Sequence, residues 1–389
     1  MCGTEYGGDG IANTRTVTGN VHDVGGPPAR SLKPETEPTP QGSEDTVRRR
    51  PAEGSPLQVS LTRRAMLFSG TCHPQLATAI AAALGIDLGP VEVSRFASGE
   101  IYVRFLESVR GCDAYVIQTH GAPVNEMIME QLIMIDALKR ASASRINAVI
   151  PYFAYARQDQ KALAREPISA RLVADLLSAA GCDRVMAVDL HTGQIQGFFN
   201  VPLDHLTALP VLAGHVRAKG WSDLVVVAPD PGRGKMAQKY AAHLECGIAF
   251  MQKARRPDMR NVSEPLGLIG DVRNRRCVVV DDMIDTGGTI TNVATALQRA
   301  GAADIVAVAT HALFSPPARQ RLDESAISEV IVTDTLPLDP AGRPARLTVV
   351  SIAPMIAASI RAVFADQSVS EIFNGENLES LPRASPRRV

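Results

Sequence analysis

Residues 278–289 have the sequence VVVDDMIDTGGT, in which an aliphatic run meets two carboxylates and then a turn of threonine and glycine. Aliphatic runs without polar alternation are typical of strands covered on both faces, as in a parallel α/β sheet. Ligands bind beside the carboxyl ends of such strands. The segment therefore predicts a buried strand over residues 278–280, with Asp281 and Asp282 emerging at a crevice.

The turn after these acids is expected to bind a phosphate. Residues 285–289 can form a nest of backbone N–H groups that opens into a helix over residues 289–300, ended by Gly301. Paired acids beside such a nest suit the 2- and 3-hydroxyls of a pentose, so the segment predicts a ribose 5-phosphate site. The alternative is a tight turn beside two surface acids. The length of the whole motif, VVVDDMIDTGGT, disfavours it.

The composition indicates a globular protein whose partners are small molecules. At 389 residues, 45% of them hydrophobic, the chain can form two or three ordinary domains. Its net charge of −1 and scattered basic residues argue against nucleic acid as a partner. The six cysteines form no C-x-x-C pair, and no apolar run reaches membrane-spanning length. We therefore expect a cytoplasmic protein with reduced thiols and no membrane partner.

Hydrophobic patterning divides the chain into tails and two similar halves. The first 62 residues are rich in Gly, Pro, Thr, Glu and Arg and predict a disordered tail. From Met66 onward, short aliphatic strands alternate with helical stretches, which is typical of βαβ units around mainly parallel sheets. The predicted divisions are 1–62 for the tail, 63–207 and 208–362 for two α/β domains, 363–376 for a segment packing back on the first domain, and 377–389 for a flexible tail.

Two segments of the first half suit a nucleotide. In YARQDQKALAREPISAR, Arg157 can form paired hydrogen bonds to phosphate oxygens, and Gln158 can reach a nucleotide's polar edges. In RFASGEIYV, Phe96 offers a stacking face for a base, with Ser98 and Glu100 as hydrogen-bond acceptors. For each segment taken alone, a structural role is the alternative. The first could be a solvated charged loop, and Phe96 could be a core residue.

Further polar residues suit a cation and phosphoryl transfer. His191 and Asp230 each follow a buried strand and are candidates to share a divalent cation, although Mg²⁺ prefers oxygen ligands. Lys253 and Arg255 are two residues apart and project to the same side of an extended chain. Paired cations suit the negative charge that spreads over a transferring phosphoryl group. The alternatives are that His191 has only a structural role and that Lys253 and Arg255 belong to a solvated basic loop.

The order of these segments resembles that of the ribose-phosphate pyrophosphokinases. The chain contains, in this order, RFASGE, YARQD, REPISA, VDLHTGQIQGFF, APD, K-x-R, VVVDDMIDTGGT and SVSEIF, and the resemblance covers residues 66–376. It implies two phosphoribosyltransferase-type domains and transfer of the β,γ-diphosphoryl group of ATP to the 1-hydroxyl of ribose 5-phosphate. The products would be 5-phosphoribosyl 1-diphosphate (PRPP), a precursor for nucleotide biosynthesis, and AMP. It also implies a requirement for Mg²⁺, phosphate or ADP as effectors, and homo-oligomers in which dimers assemble into hexamers.

The resemblance assigns roles by position. Lys253 would be the catalytic lysine, with Arg255 beside it on a loop that closes over the transferring group. The implied residues are Phe96, Ser98, Gly99, Glu100, Arg157 and Gln158 for ATP; Arg255, Asp281, Asp282, Asp285, Thr286, Gly287, Gly288 and Thr289 for ribose 5-phosphate; His191 and Asp230 for Mg²⁺; and Ser108, Arg110, Ser368 and Ser370 for a regulatory phosphate or ADP.

The chain departs from the family pattern at a few positions. Ser98 stands where Asp or Asn is usual, which puts purine selectivity in doubt, and Asn200 stands where an acid is common. Pro231 and Arg233 alter the loop expected to bind diphosphate, since proline lacks an N–H group.

Two other functions stay open. The first is a catalytically silent regulatory subunit with the same fold, which the intact Lys253, Arg255, His191 and Asp230 disfavour. The second is a phosphoribosyltransferase or a PRPP-sensing transcription regulator. The two-half architecture and the charge distribution disfavour that alternative.

Overall fold

Aliphatic runs from the two halves of the chain form two separate, mainly parallel sheets. The computed structural model describes residues 63–255, 263–373 and 375. These residues belong to one unit, Leu61–Val389. The predicted tails, 1–62 and 377–389, lie outside the described residues. In the described part of the chain, no helix is both long and apolar enough to cross a membrane.

The first sheet is fully parallel and has the strand order β1-β4-β5-β6-β7. Its strands are β1 (Ala65–Ser69), β4 (Asp113–Ile117), β5 (Arg145–Ile150), β6 (Arg184–Val188) and β7 (Leu203–Leu206). A separate antiparallel hairpin consists of β2 (Val91–Arg95) and β3 (Ile101–Phe105).

The second sheet has the order β10-β9-β8-β11-β12-β13-β14, and only β10 runs antiparallel to its neighbour. Its strands are β8 (Leu224–Ala228), β9 (Gly247–Arg255), β10 (Ser263–Ile269), β11 (Arg276–Ile284), β12 (Asp304–Ala312), β13 (Glu329–Thr333) and β14 (Leu347–Val350). These two sheets confirm the predicted α/β fold class. The division between domains at residue 207 falls between β7 and the next helix and stays a prediction.

Eight α-helices flank the sheets within the described residues. They are α1 (Pro74–Leu84), α2 (Val124–Arg140), α3 (Ser169–Ala180), α4 (Leu209–Ala218), α5 (Gly234–Leu244), α6 (Gly288–Arg299), α7 (Ala318–Glu324) and α8 (Ala353–Phe364). The C-terminal α8 packs against α1 of the first half. Val369 and Phe373, which follow α8, are buried in the same hydrophobic core as Tyr115 of β4.

Strand register explains why functional side chains gather at one edge of the second sheet. Strand β11 pairs with β8 only as far as Val279 opposite Val227, whereas it pairs with β12 up to Ile284. Asp281 and Asp282 therefore lie on β11 beyond its pairing with β8. Strand β11 is longer than the predicted residues 278–280 at both ends. At the amino end it pairs with β8 and β12 from Arg276, and at the carboxyl end β12 alone continues to supply partners.

Candidate active site

A cavity of about 240 Å³ lies at the carboxyl edge of the second sheet. It is lined by residues that the sequence assigned to three different roles. Among the lining residues are Arg157, assigned to ATP; His191 and Asp230, assigned to Mg²⁺; and Asp281, Asp282, Asp285, Thr286, Gly287, Gly288 and Thr289, assigned to ribose 5-phosphate. Side chains that follow β5, β6, β8 and β11 are thus brought to one place.

The turn after β11 presents backbone N–H groups at the start of α6. Gly287 is the N-cap of α6 and has φ 75°, a left-handed conformation that glycine adopts without a steric penalty. A Cβ atom at this position would make only an ordinary contact, 3.6 Å from the backbone of Ala318, so the positive φ and not a lack of space favours glycine. The helix begins at Gly288, one residue earlier than predicted. Its first N–H groups and its dipole favour an anion at this end.

The two neighbouring acids of β11 differ in exposure. The side chain of Asp281 is 15% exposed, and that of Asp282 is only 2% exposed. Asp282 Oδ2 lies 2.6 Å from His191 Nδ1. Burial raises the pKa of Asp282, but the hydrogen bond from His191 and the charge of Arg233 outweigh burial and lower this pKa to about 2. Burial and the charge of Asp282 raise the pKa of Asp281, so Asp281 is the acid of this pair that binds a proton more readily.

Nδ1 of His191 has two polar neighbours, Asp282 Oδ2 at 2.6 Å and a terminal nitrogen of Arg233 at 2.9 Å, and only the carboxylate can accept a proton from it. Because the carboxylate of Asp282 is ionised at neutral pH and can only accept, the proton of the hydrogen bond is assigned to Nδ1 of His191. In the neutral ring, Nε2 then carries the lone pair that a metal ion requires. A buried carboxylate that orients a metal-binding histidine in this way is a common arrangement around metal sites.

Arg233 also lines the cavity. Its Nε lies 2.8 Å from Asp281 Oδ1, and one terminal nitrogen lies 2.8 Å from Asp282 Oδ1. The other terminal nitrogen donates to the carbonyl of His191 at 3.2 Å. Sequence reasoning noted that Arg233 changes the loop after β8 but missed these contacts with both acids. Its position between Gly232 and Gly234, in the turn that follows β8, is the signal that could have found it.

A second set of contacts ties the loop after β5 to its surroundings. Arg157 forms an ion pair with Asp285 at 2.8 Å. Asp159, which is buried, accepts from the hydroxyl of Thr192 at 2.6 Å and from the amide of Gln194 at 3.0 Å. Gln158 accepts from the hydroxyl of Ser169 at 2.6 Å. These bonds hold the loop that carries Arg157 and Gln158 next to the loop that carries His191.

The remaining residues assigned to ATP lie outside this cavity. Phe96 is 56% exposed on the β2–β3 hairpin, and its ring lies edge-on to Tyr102 at 5.8 Å. Ser98 Oγ donates to Glu100 Oε2 at 2.8 Å, across a turn in which Gly99 has φ 91°. The exposed face of Phe96 is available to a base. The described residues do not bring it to the cavity beside β11.

Lys253 and Arg255 lie near the end of β9, opposite Pro265 and Ser263 of β10. Strand β9 pairs with β8, the strand that leads to Asp230. The positions of the two basic side chains lie outside what the structure describes. Their assignment to catalysis therefore stays a prediction.

The residues assigned to regulation are divided between two places. Ser368 and Ser370 line a cavity of about 740 Å³ that also exposes Arg145 and Arg184, at the amino ends of β5 and β6. Tyr115 lines the same cavity, and its buried hydroxyl has no hydrogen-bond partner among the described residues. Ser108 and Arg110 do not line it in the described part of the chain. The carbonyl of Ser108 accepts from Arg64 at 2.5 Å.

Comparisons with known proteins identify the family of this chain. A family model described as the N-terminal domain of ribose phosphate pyrophosphokinase matches residues 65–181, and a model described as a phosphoribosyl synthetase-associated domain matches residues 251–374. The ribose-phosphate pyrophosphokinase of Streptomyces avermitilis is 52% identical over 313 residues, which are 80% of this chain and 97% of the relative. The protein of that name from Mycobacterium tuberculosis is 52% identical over 314 residues, which are 80% of this chain and 96% of the relative.

A solved structure is similar as well. The crystal structure of phosphoribosylpyrophosphate synthetase from Mycobacterium smegmatis is 51% identical, with a TM-score of 0.74, and the match covers 78% of this chain and all of that one. These matches confirm the resemblance read from the order of the motifs. The chain belongs to the ribose-phosphate pyrophosphokinase family.

Proposed function

We propose that this protein is an active ribose-phosphate pyrophosphokinase, which transfers the β,γ-diphosphoryl group of ATP to the 1-hydroxyl of ribose 5-phosphate. The observation that carries the proposal is the single cavity beside β11. It gathers the acids of a diol site, the N–H groups of a phosphate site, the His191 and Asp230 pair, and Arg157. A protein that bound only one of these substrates would not need all four.

In the proposed reaction, the C1 oxygen of the sugar attacks the β-phosphorus of ATP. The bond between that phosphorus and the oxygen bridging it to the α-phosphorus breaks, and the bridging oxygen leaves with AMP. The hydroxyl loses its proton, and no residue of this chain is assigned as the base. Catalysis would come from positioning and from charge, since Asp281 and the turn at 285–289 hold the sugar while Arg157 holds the nucleotide.

The residues of the cavity fit Mg²⁺. His191 presents Nε2 and Asp230 presents a carboxylate, and both line the same cavity. Among the described residues, no group of three or more His, Cys, Asp or Glu side chains could hold a metal ion. Mg²⁺ is commonly bound through one or two carboxylates, several waters and the phosphates of its substrate, so the carboxylate of Asp230 with waters and phosphates is sufficient, and His191 would add a nitrogen ligand. When bound, the ion would neutralise the phosphates and stabilise the charge of the transferring group.

We further propose that phosphate or ADP regulates the enzyme and that the protein forms a homo-oligomer. Phosphate or ADP would act at the cavity lined by Ser368 and Ser370, where it would compete for Arg145 and Arg184 with their present partners, Asp366 at 3.1 Å and Asp204 at 2.7 Å. The hairpin that carries Phe96 lies outside the cavity beside β11, which supports an ATP site completed by a second copy of the chain in a homo-oligomer. A hexamer is the form that the family suggests.

The test is a direct assay of the full-length protein with Mg²⁺, ribose 5-phosphate and ATP labelled at the α- or the γ-phosphate. The proposal expects the α-label in AMP and the γ-label in PRPP. Asp285→Asn should lower the rate and raise the KM for ribose 5-phosphate, whereas Asp271→Asn, at an exposed position, should match the unchanged protein. A folded protein that releases no AMP would instead be the silent regulatory subunit, and labelled ADP would indicate transfer of a single phosphoryl group.

A further inference from the structure

The guanidinium of Arg233 neutralises the acids that the sugar site needs. It forms ion pairs with both Asp281 and Asp282 and donates to the carbonyl of His191, and its side chain is only 15% exposed. A guanidinium cannot lose its proton at any physiological pH. The positive charge therefore stays among these groups for as long as the side chain remains in place.

A divalent cation bound by His191 and Asp230 would face this charge at short range. The main chain of Arg233 already contacts Asp230, because its N–H group donates to Asp230 Oδ1 at 3.2 Å. Like charges this close repel strongly where burial reduces screening by water. This repulsion means that a bound cation weakens the hold of the guanidinium on Asp281 and Asp282, and that the guanidinium in place weakens binding of the cation.

The backbone around Arg233 allows the side chain to leave without unfolding a helix. Arg233 is the N-cap of α5 and the last residue of a short 3₁₀ turn, Pro231–Arg233, so it lies outside the body of the helix. Gly232 and Gly234 flank it. Its contacts with Asp281 and Asp282 are made only by the guanidinium, so a change of side-chain rotamer is sufficient to break them.

We propose that Arg233 is an exchangeable internal cation, which holds Asp281 and Asp282 while the cavity is empty and gives way when a divalent cation binds. The inference deepens the proposed function, since it assigns a residue that sets the affinity of the proposed metal site. Arg233 is on this account a positioning residue. Its displacement would free Asp281 for a hydroxyl of the sugar at the same moment as the metal arrives, while Asp282 stays hydrogen-bonded to His191.

The experiment measures Mn²⁺ binding to the metal-free, full-length protein, without nucleotide or sugar, by the electron paramagnetic resonance signal of free Mn²⁺. Arg233→Gln should bind Mn²⁺ at least about tenfold more tightly than the unchanged protein, which corresponds to about 1.4 kcal/mol. The matched control is Lys235→Gln, which removes one positive charge at an exposed position two residues away. Its affinity should stay within about twofold of the unchanged protein.

Unchanged or weaker Mn²⁺ binding by folded Arg233→Gln would overturn the proposal and make Arg233 a fixed part of the site. Should that variant fail to fold, Arg233→Lys decides the question. Lysine keeps the charge but cannot bridge two carboxylates, so the proposal expects at least about threefold tighter Mn²⁺ binding, and equal affinity refutes it. Neither of these Mn²⁺-binding measurements depends on catalytic turnover. A protein that made no PRPP would therefore disprove the proposed function without affecting the result for Arg233.

Discussion

Arg157 Nη1 lies 2.8 Å from Asp285 Oδ2, so an ion pair joins the loop after β5 to the turn after β11. The first residue is proposed to bind ATP and the second to bind the sugar phosphate. The side chain of Arg157 is 50% exposed, and exposed ion pairs contribute at most about 1 kcal/mol to stability. The pair therefore matters mainly for placing the two substrates relative to each other.

We expect Arg157→Gln to lower kcat/KM for ATP by at least about tenfold, because a charged, paired hydrogen bond to phosphate is lost. The melting temperature should change by less than about 3 °C. Steady-state kinetics and calorimetry measure the two quantities. Arg171→Gln is the control, since Arg171 is also a part-exposed arginine paired with an aspartate, at 2.8 Å within α3. Similar kinetic losses in both variants would contradict a role for Arg157 in nucleotide binding.

Local sequence predicted the sheet and the edge at which the site lies, but not the contacts between distant segments. The aliphatic run before Asp281 and the glycines after it depend on neighbours in sequence, so strand, turn and helix α6 could be predicted to within a few residues. Arg233 is 48 positions from Asp281, and His191 is 91 positions from Asp282. Their pairing depends on how β6, β8 and β11 are ordered in space, which residue patterns do not specify.

The position of the β2–β3 hairpin could not be predicted for the same reason, because it depends on contacts between distant segments. The local sequence of residues 95–103 suggests that a base could stack there, but it does not predict where the hairpin lies relative to the cavity. Likewise, the burial of Asp282 could not be predicted, because two adjacent acids at a strand end look equally exposed in the sequence. In the structure, the exposure of Asp281 and Asp282 differs because of their contacts with residues that follow other strands.

Lys253 provides a second prediction. Lys253→Ala should lower turnover by at least about a hundredfold, because a positive charge beside the transferring group is lost in the transition state. Affinity for ribose 5-phosphate, measured by calorimetry without ATP, should be retained. Lys219→Ala, which removes a lysine paired with Glu329 at 2.8 Å, is the control and should keep its turnover. Equal loss of turnover and of sugar binding would show that the role of Lys253 is misassigned.

The dependence of stability on pH supplies a third prediction, at Glu329. Burial raises the pKa of this glutamate, but hydrogen bonds from Lys219 and Thr348 outweigh burial and lower the pKa below the model-peptide value of 4.5. A lowered folded-state pKa adds stability above about pH 4.5, and this contribution is lost as the pH falls through the folded-state value. The ionised Glu329 should therefore stabilise the fold at neutral pH.

Glu329→Gln should accordingly unfold at lower urea concentration than the unchanged protein at pH 7, and the gap between them should narrow as the pH falls below about 4.5. Glu324→Gln is the control, because Glu324 is an exposed glutamate whose carboxylate accepts only an amide hydrogen bond among the described residues, from Gln320. A gap of constant size between pH 7 and pH 3.5 would rule out the ionised form as its source.

Removal of the metal gives the last prediction. Chelation by EDTA should abolish formation of AMP and PRPP, and addition of Mg²⁺ should restore it, because the proposed site relies on the ion to neutralise the phosphates. Calorimetry should show the same melting temperature with and without EDTA, to within about 2 °C. The reason is electrostatic, since Arg233 already compensates Asp281 and Asp282 in the metal-free fold. A loss of stability on chelation larger than the measured affinity for Mg²⁺ accounts for would mean that the ion is structural.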